Sequence, residues 1–350
     1  MNILRMQDKI RGMFYGIAIG DALGAPVETF THHKINDLHG FVDHYIEPTG
    51  HKWFDGRLPG FITDDTQLSL AVAKALITAK DFNMDEIAKE HVKALKNPAG
   101  WGGTTRRAIQ RIDKGIHWSR SGIEEQTGTA AGAGNGVPMK IGPVSAWYCS
   151  LREAHPSNIH IAEFGAMTHY TDMGVTSGFI HFDALNYCFT VNHPCSFSDK
   201  YFCDDLIASF GTIQEAMEQF EPKLRYLEDN LVKPIRDLKR ITEHQTNKDK
   251  YMIWSDHTIR EVFGNGSCYV YTSLPFSYAF FLRNPHSFQS VLDVVNAGGD
   301  TDTNGSLVGS LLGALNGPSV FPQELIAGLQ CREELDATID KFNEIFLGET

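Results

Sequence analysis

The sequence predicts an all-α fold, and three observations carry that prediction. Helical spacing or cap signals run through most of the 350 residues. Runs of alternating β-branched residues are nearly absent. Glycines recur every fourth residue in two segments, as they would along one stripe of a helix.

The helical segments follow in order. Residues 8–24 contain Gly12, Gly16, Gly20 and Gly24. Residues 64–80 carry Leu68, Val72 and Leu76 along one face. Further segments fall at 84–96, 104–114, 138–151, 159–167, 172–188, 203–219 and 222–243. Pro138 suits the first turn of its helix. The last three are 286–297, 303–316 and 322–346. The 303–316 segment and the residue after it hold Gly305, Gly309, Gly313 and Gly317. Only Ser267–Thr272 reads as a short strand, and it equally well opens a helix. No Pro/Gly/Ser linker divides the chain, so one domain over 1–350 is expected. Residues 192–258 are more charged and less patterned, and are expected to form a peripheral helical excursion.

Composition excludes several classes. Hydrophobic residues make up 42% and charged residues 21%, which supports a core and rules out disorder as the dominant state. The formal net charge of −12 argues against general nucleic-acid binding, which needs a basic surface. The longest apolar run near the start, Met13 to Val27, contains Asp21 and falls short of a membrane span. No signal-peptide pattern precedes it. The six cysteines form no Cys-x-x-Cys pair. A cytoplasmic protein with reduced thiols is expected. Glycine, 32 of 350 residues, exceeds the usual share of about 7%. Interior glycines cost about 1 kcal/mol each in helix propensity, so two such rows imply close approach of helix backbones.

Two acidic motifs stand at helix starts. One is Thr63-Asp64-Asp65-Thr66, the other Gly298-Gly299-Asp300-Thr301-Asp302-Thr303. An N-cap explains one residue of each. It does not explain paired carboxylates, which repel unless a cation or a donor neutralises them. Hard divalent ions use such oxygen clusters, so a two-metal site is one reading. A glycine-rich stretch, Gly128 to Lys140, leads toward a helix and offers backbone N–H groups suited to a diphosphate. It matches neither the Walker A nor the dinucleotide-binding pattern.

Together these segments resemble the ADP-ribosylglycohydrolase family. The residues that carry the resemblance are Gly16 to Glu28, Thr63 to Thr66, Gly134 to Lys140, Thr168-His169 and Gly298 to Thr303. The five motifs occur in the family's order along about 300 residues. The resemblance implies a compact, single-domain orthogonal helical bundle with two divalent ions, Mg²⁺ or Mn²⁺. It implies hydrolysis of the bond between ADP-ribose and an acceptor, classically an arginine side chain. Thr63, Asp64, Asp65, Asp300, Asp302 and Thr303 would then be metal ligands. Glu28 would ligate metal or act as acid/base, with Asp302 as its catalytic companion. Asp21 would support the first helix or the ligands behind it. Gly132, Gly134, Asn135, Gly136 and Met139 would border the ADP-ribose, as would Gly102, Gly103 and His169. The substrate would be an ADP-ribosylated protein or small molecule, and a monomer is the expected state.

Departures from the family pattern leave the acceptor open. Lys140 stands where many relatives have Arg, and Asn304 where an apolar or small residue is common. The Gly102 region lacks the acidic residue of some arginine-specific members. Serine-linked and nucleic-acid-linked ADP-ribose stay open, as does a catalytically weak ADP-ribose-binding protein.

Overall fold

The computed structural model describes residues 5–123, 132–151, 158–220, 228–243 and 254–348. Among these residues it is all-α, with seventeen α-helices and no strand. The helices are α1 (Met6–Gly24), α2 (His32–His39), α3 (Asp64–Ala79), α4 (Met84–Ala94), α5 (Gly103–Asp113) and α6 (Trp118–Ser121). There follow α7 (Gly142–Ser150), α8 (Asn158–Thr168), α9 (Asp172–Thr190), α10 (Asp199–Phe220), α11 (Glu228–Glu243) and α12 (Asp256–Phe263). The last five are α13 (Val270–Arg283), α14 (Gln289–Asn296), α15 (Thr301–Asn316), α16 (Gln323–Gly328) and α17 (Arg332–Leu347).

The centre of the fold is the antiparallel pair α1 and α15. Their glycine rows face each other in register: Gly12 by Gly313, Gly16 by Gly309, Gly20 by Gly305, and Gly24 by Thr301. A methyl group at Gly16 would stand 1.9 Å from the Gly309 carbonyl oxygen. One at Gly309 would stand 2.1 Å from the Gly16 carbonyl oxygen. Both obstacles are backbone, so no rotamer change relieves them. Around this seam α3, α7, α9, α13 and α14 bury apolar faces in one large cluster that includes Ile17, Leu76, Val144, Ile180, Leu274 and Val308. Phe202, Leu206, Ile235 and Leu238 of α10 and α11 join the same cluster. Lys9 is buried in α1, and its Nζ donates to the carbonyls of Cys188, Phe189 and Val191 at the end of α9. That cation satisfies carbonyls that a helix C-terminus leaves open.

Several segments differ from the sequence reading. The helix expected over 322–346 is two, because Leu329 turns extended and Gln330 N–H donates to Gly60 O at 3.0 Å. The helix expected over 138–151 begins as a 3-10 turn at Pro138–Lys140, and α7 starts only at Gly142. Pro143 in its first turn has no N–H to continue an earlier helix. Ser267–Thr272 makes one bridge, Gly134 to Tyr269, and then opens α13. Helices α2, α6, α12 and most of α13 lie outside the segments expected from the sequence. Residues 222–227 of the expected 222–243 helix, and Gly128 to Ala131 of the glycine-rich stretch, lie outside the described residues.

Candidate active site

The seam delivers the acidic residues to one place. Where α1 ends, Gly24 packs on the first turn of α15, and Thr301 Oγ1 donates to Gly24 O at 2.7 Å. The chain then makes a 3-10 turn over Ala25–Val27 that ends at Glu28. Thr29, the next residue, holds φ +66°, a left-handed conformation that costs a β-branched residue about 1–2 kcal/mol. Its N–H donates to Gly299 O at 2.7 Å, and Gly299 N–H donates back to Phe30 O at 2.9 Å. Gly298 and Gly299 themselves hold φ +81° and +92°. Glu28 is thereby braced against the start of α15. One carboxylate oxygen each from Glu28, Asp300 and Asp302 lie within 4.8 Å of one another.

The start of α3 is fixed from α1. Asp21 is fully buried, and its carboxylate accepts from Thr63 N–H at 3.0 Å and from Thr66 N–H at 3.1 Å. The hydroxyls of Thr63 and Thr66 donate to it at 2.8 and 2.5 Å. Asp21 thus caps α3 from another helix. It does not line the cavity itself. Burial still raises its pKa to about 6, against these four donors.

With the cap supplied by Asp21, Asp64 and Asp65 are left for other work. Asp64 Oδ2 accepts from Gly102 N–H at 3.2 Å. Asp65 Oδ2 accepts from Thr303 Oγ1 at 3.1 Å, while its Oδ1 is buried without a hydrogen-bond partner. Asp300 Oδ2 accepts from Asn135 Nδ2 at 2.5 Å. Asp302 Oδ1 accepts its neighbour's Thr303 N–H at 2.8 Å. Thr63 Oγ1 stands 3.5 Å from Asp302 Oδ2 but is engaged by Asp21. Of the six ligands expected from sequence, only Asp300 and Asp302 share the tight cluster, and Glu28 completes it. Asp64 and Asp65 fall outside that set.

The electrostatics are those of crowded acids without a counter-charge. Burial pushes the Glu28 pKa up to about 9, with Asp300 and then Asp64 adding repulsion. Burial pushes Asp64 up to about 8, partly offset by the Gly102 N–H. Asp65 and Asp302 are driven well above the carboxylate range, again by burial first. Asp300 rises less freely because Asn135 stabilises its charge. An orphaned buried oxygen on Asp65 and three convergent carboxylates are a hard-cation donor set. The residues present therefore fit a divalent ion.

These acids floor a cavity of about 640 Å³, a size suited to a nucleotide-like ligand. Glu28, Asp64, Asp300, Asp302 and Thr303 line one side. Gly134, Asn135, Gly136, Met139 and His169 line another, and Gly102 and Gly103 a third. Three expected residues do not line it. Thr63 and Asp65 lie behind the floor, and Gly132 turns away at φ +74° with its carbonyl taken by Thr171 Oγ1. Sequence reading missed Trp53, Gly100, Thr105, Arg106, Cys268 and Tyr269, which complete the wall with Trp101 and Thr104. Tyr269 arrives through the bridge to Gly134, where Asn135 N–H donates to Cys268 O at 2.9 Å. Asn304, the departure noted above, is fully used. Its Oδ1 accepts from Ser273 and Ser277, and its Nδ2 donates to Gly266 O. Ser273 in turn accepts from Asn135, so Asn304 anchors the residue that holds Asp300.

No helix among the described residues is long and apolar enough to cross a membrane. The ADP-ribosyl-[dinitrogen reductase] glycohydrolase of Rhodospirillum rubrum is 25% identical over 332 residues, covering 94% of this chain and 92% of its own length. The ADP-ribosylhydrolase ARH3 of Homo sapiens is 22% identical, covering 98% of this chain and 94% of its own. A solved structure described as an ADP-ribosylglycohydrolase-related protein complex shares the fold at a TM-score of 0.67 and 23% identity, covering 97% of this chain and 98% of its own. The family pattern for ADP-ribosylglycohydrolases matches residues 3–349, and the chain belongs to that family.

Proposed function

We propose that this chain is a divalent-cation-dependent hydrolase that releases ADP-ribose from a modified acceptor, with an arginine side chain as the first candidate. The observation that carries the reading is the convergence of Glu28, Asp300 and Asp302 on the floor of a nucleotide-sized cavity. Family membership and the names of the relatives support it. Glu28, Asp300 and Asp302 would hold one ion, and Asp64 and Asp65 with Thr63 and Thr303 a second, Mg²⁺ or Mn²⁺ in each case. Bound there, the ions supply a polarised water and hold ribose hydroxyls.

The chain's own groups do the rest. Gly102, Gly103, Gly134 and Gly136, with Asn135, Met139 and His169, would border the diphosphate and sugar and orient the anomeric carbon. Asp302 stabilises positive charge as the glycosidic bond lengthens. Glu28 would relay a proton to the leaving acceptor atom. The described residues of 192–258 do not line the cavity, which supports reading that stretch as a peripheral excursion.

One observation favours a second acceptor class. Among the described residues, the lining carboxylates are Glu28, Asp64, Asp300 and Asp302. Once they hold cations, none is left to pair with a guanidinium, so an O-linked acceptor such as serine is the second reading. The test is product analysis on arginine- and serine-linked ADP-ribose with Mg²⁺, Mn²⁺ or EDTA. The proposal expects intact ADP-ribose, released only with a divalent ion. Release of AMP or phosphate instead, or no turnover on either linkage, overturns it.

A further inference from the structure

Behind the cavity wall a line of buried polar groups ends at His169. Lys140 is fully buried, and its Nζ donates to Thr168 Oγ1 at 2.9 Å. Thr168 is also fully buried, and its Oγ1 lies 3.0 Å from His169 Nδ1. A hydroxyl accepts through its lone pairs but has only one proton to give. Burial pulls the Lys140 pKa down to about 7, with Asp64 opposing that shift; while Lys140 is protonated its ammonium has no lone pair, and the Thr168 proton must go elsewhere. Among the described residues, His169 Nδ1 is the partner recorded for it. A buried hydroxyl proton is almost always satisfied, so it points at Nδ1 and Nδ1 carries a lone pair.

His169 is neutral as well. Burial, with Lys140 nearby, pushes its pKa down to about 3. A neutral imidazole bears one N–H, and here it falls on Nε2. That edge faces the cavity: a methyl group on Gly136 would stand 3.3 Å from Nε2, and one on Gly134 3.6 Å.

We infer that Lys140 and Thr168 are positioning residues that lock His169 in its Nε2–H tautomer, so that it presents an uncharged donor to a ligand oxygen beside Gly134 and Gly136. The identity of the ligand as ADP-ribose rests on the proposed function. The tautomer rests on the hydrogen-bond geometry and on a protonated Lys140 beside a neutral ring. The arrangement explains why a cation is buried one residue after Met139, where it makes no contact with the cavity itself. Lys140 acts through Thr168, which relays orientation and not charge.

The test reads the ring directly. Histidine ring nitrogens are labelled with ¹⁵N, and the His169 signal is assigned by its loss in His169→Asn. At pH 6, below the Lys140 pKa, the wild type should show Nε2 protonated and Nδ1 bare. Thr168→Val keeps the shape and removes the hydroxyl. It should give a mixed or Nδ1–H tautomer and weaken ADP-ribose binding, measured by calorimetry, about tenfold. Thr168→Ser should restore both readouts, and Lys140→Met should give a smaller shift in the same direction. A merely structural Thr168 would move stability and leave the tautomer alone. An Nδ1–H wild type overturns the inference without any variant. So does a folded Thr168→Val with the wild-type ring signal and affinity. Failure of the wild type to bind ADP-ribose would overturn the functional reading, and the ring spectrum would still decide the tautomer.

Discussion

Helices α1 and α15 contribute two adjoining regions with opposite energetics. Along most of their length, facing glycines bring the backbones so close that a single methyl has nowhere to go. At one end, the same register brings Glu28 against Asp300 and Asp302. The seam gains packing from every contact. The acidic end loses stability from every carboxylate, since burial and mutual repulsion raise their pKa values. A fold tolerates such an end when something outside the chain relieves it, and functional sites are where that trade is usual. The difference teaches that the seam serves the site: it fixes three mutually repelling acids at a spacing suited to a cation.

The comparison breaks most sharply at the seam. Gly20→Val would put side-chain atoms into the Gly305 backbone, 2.1 Å from its carbonyl oxygen already at Cβ. A loss of at least about 3 kcal/mol is expected in urea unfolding without metal. A neutral result would mean that the seam can slide. At the acidic end the expected loss is functional. Asp302→Ala should lower divalent-dependent release of ADP-ribose by more than about 10² while the far-ultraviolet circular dichroism stays native. Full activity of that variant would remove Asp302 from the site.

Acidity sharpens the contrast further. Glu28 and Asp64 are raised to about 9 and about 8 in the folded chain, whereas unfolded carboxylates titrate near 4. For raised acids, the stabilising protons are fully bound below the unfolded value and are lost as pH rises through the folded one. The metal-free protein should therefore melt lower at pH 8.5 than at pH 6. Added Mg²⁺ should raise the melting temperature more at pH 8.5, where protons compete less. A larger Mg²⁺ effect at pH 6 would contradict the assignment. The smallest effect belongs to the link between the two regions. Asp21→Asn keeps the side-chain shape but turns an NH₂ toward donors from Thr63 and Thr66. Mg²⁺ affinity should fall about tenfold by calorimetric titration, as for other groups that orient metal ligands. An unchanged affinity would make Asp21 a cap and nothing more.

How much of this was legible depended on whether a residue's signal was local. The all-α class was readable because most helices show one apolar face. The glycine rows were readable because a four-residue step is a property of the chain alone. Helix α13 was not, since it is buried on nearly every side and contains Pro275, so neither an amphipathic stripe nor clean helix chemistry marks it. Helices α2 and α12 have eight residues each, too few for periodicity to stand out. The acidic motifs were legible as paired charges without a structural role. Their sharing of one floor with Glu28 was not, because it depends on the seam register and on Thr29. Trp53 and Arg106 carried no signal beyond being an exposed aromatic and a charge. Tyr269 did carry one, in the stretch that reads as strand or helix start, but not its destination.

The central claim is that the acids at the end of the seam are held apart from stability and for a cation. It is tested most directly by unfolding wild type and Asp302→Asn in urea, each in EDTA and in Mg²⁺ at pH 8. The expected result is a variant about 1 kcal/mol more stable than wild type in EDTA, because an amide removes the cost that burial and neighbouring acids place on the Asp302 carboxyl group. The same variant should respond little to Mg²⁺, while the wild type is stabilised by it. A variant less stable than wild type in EDTA, with an equal response to Mg²⁺, would contradict the claim.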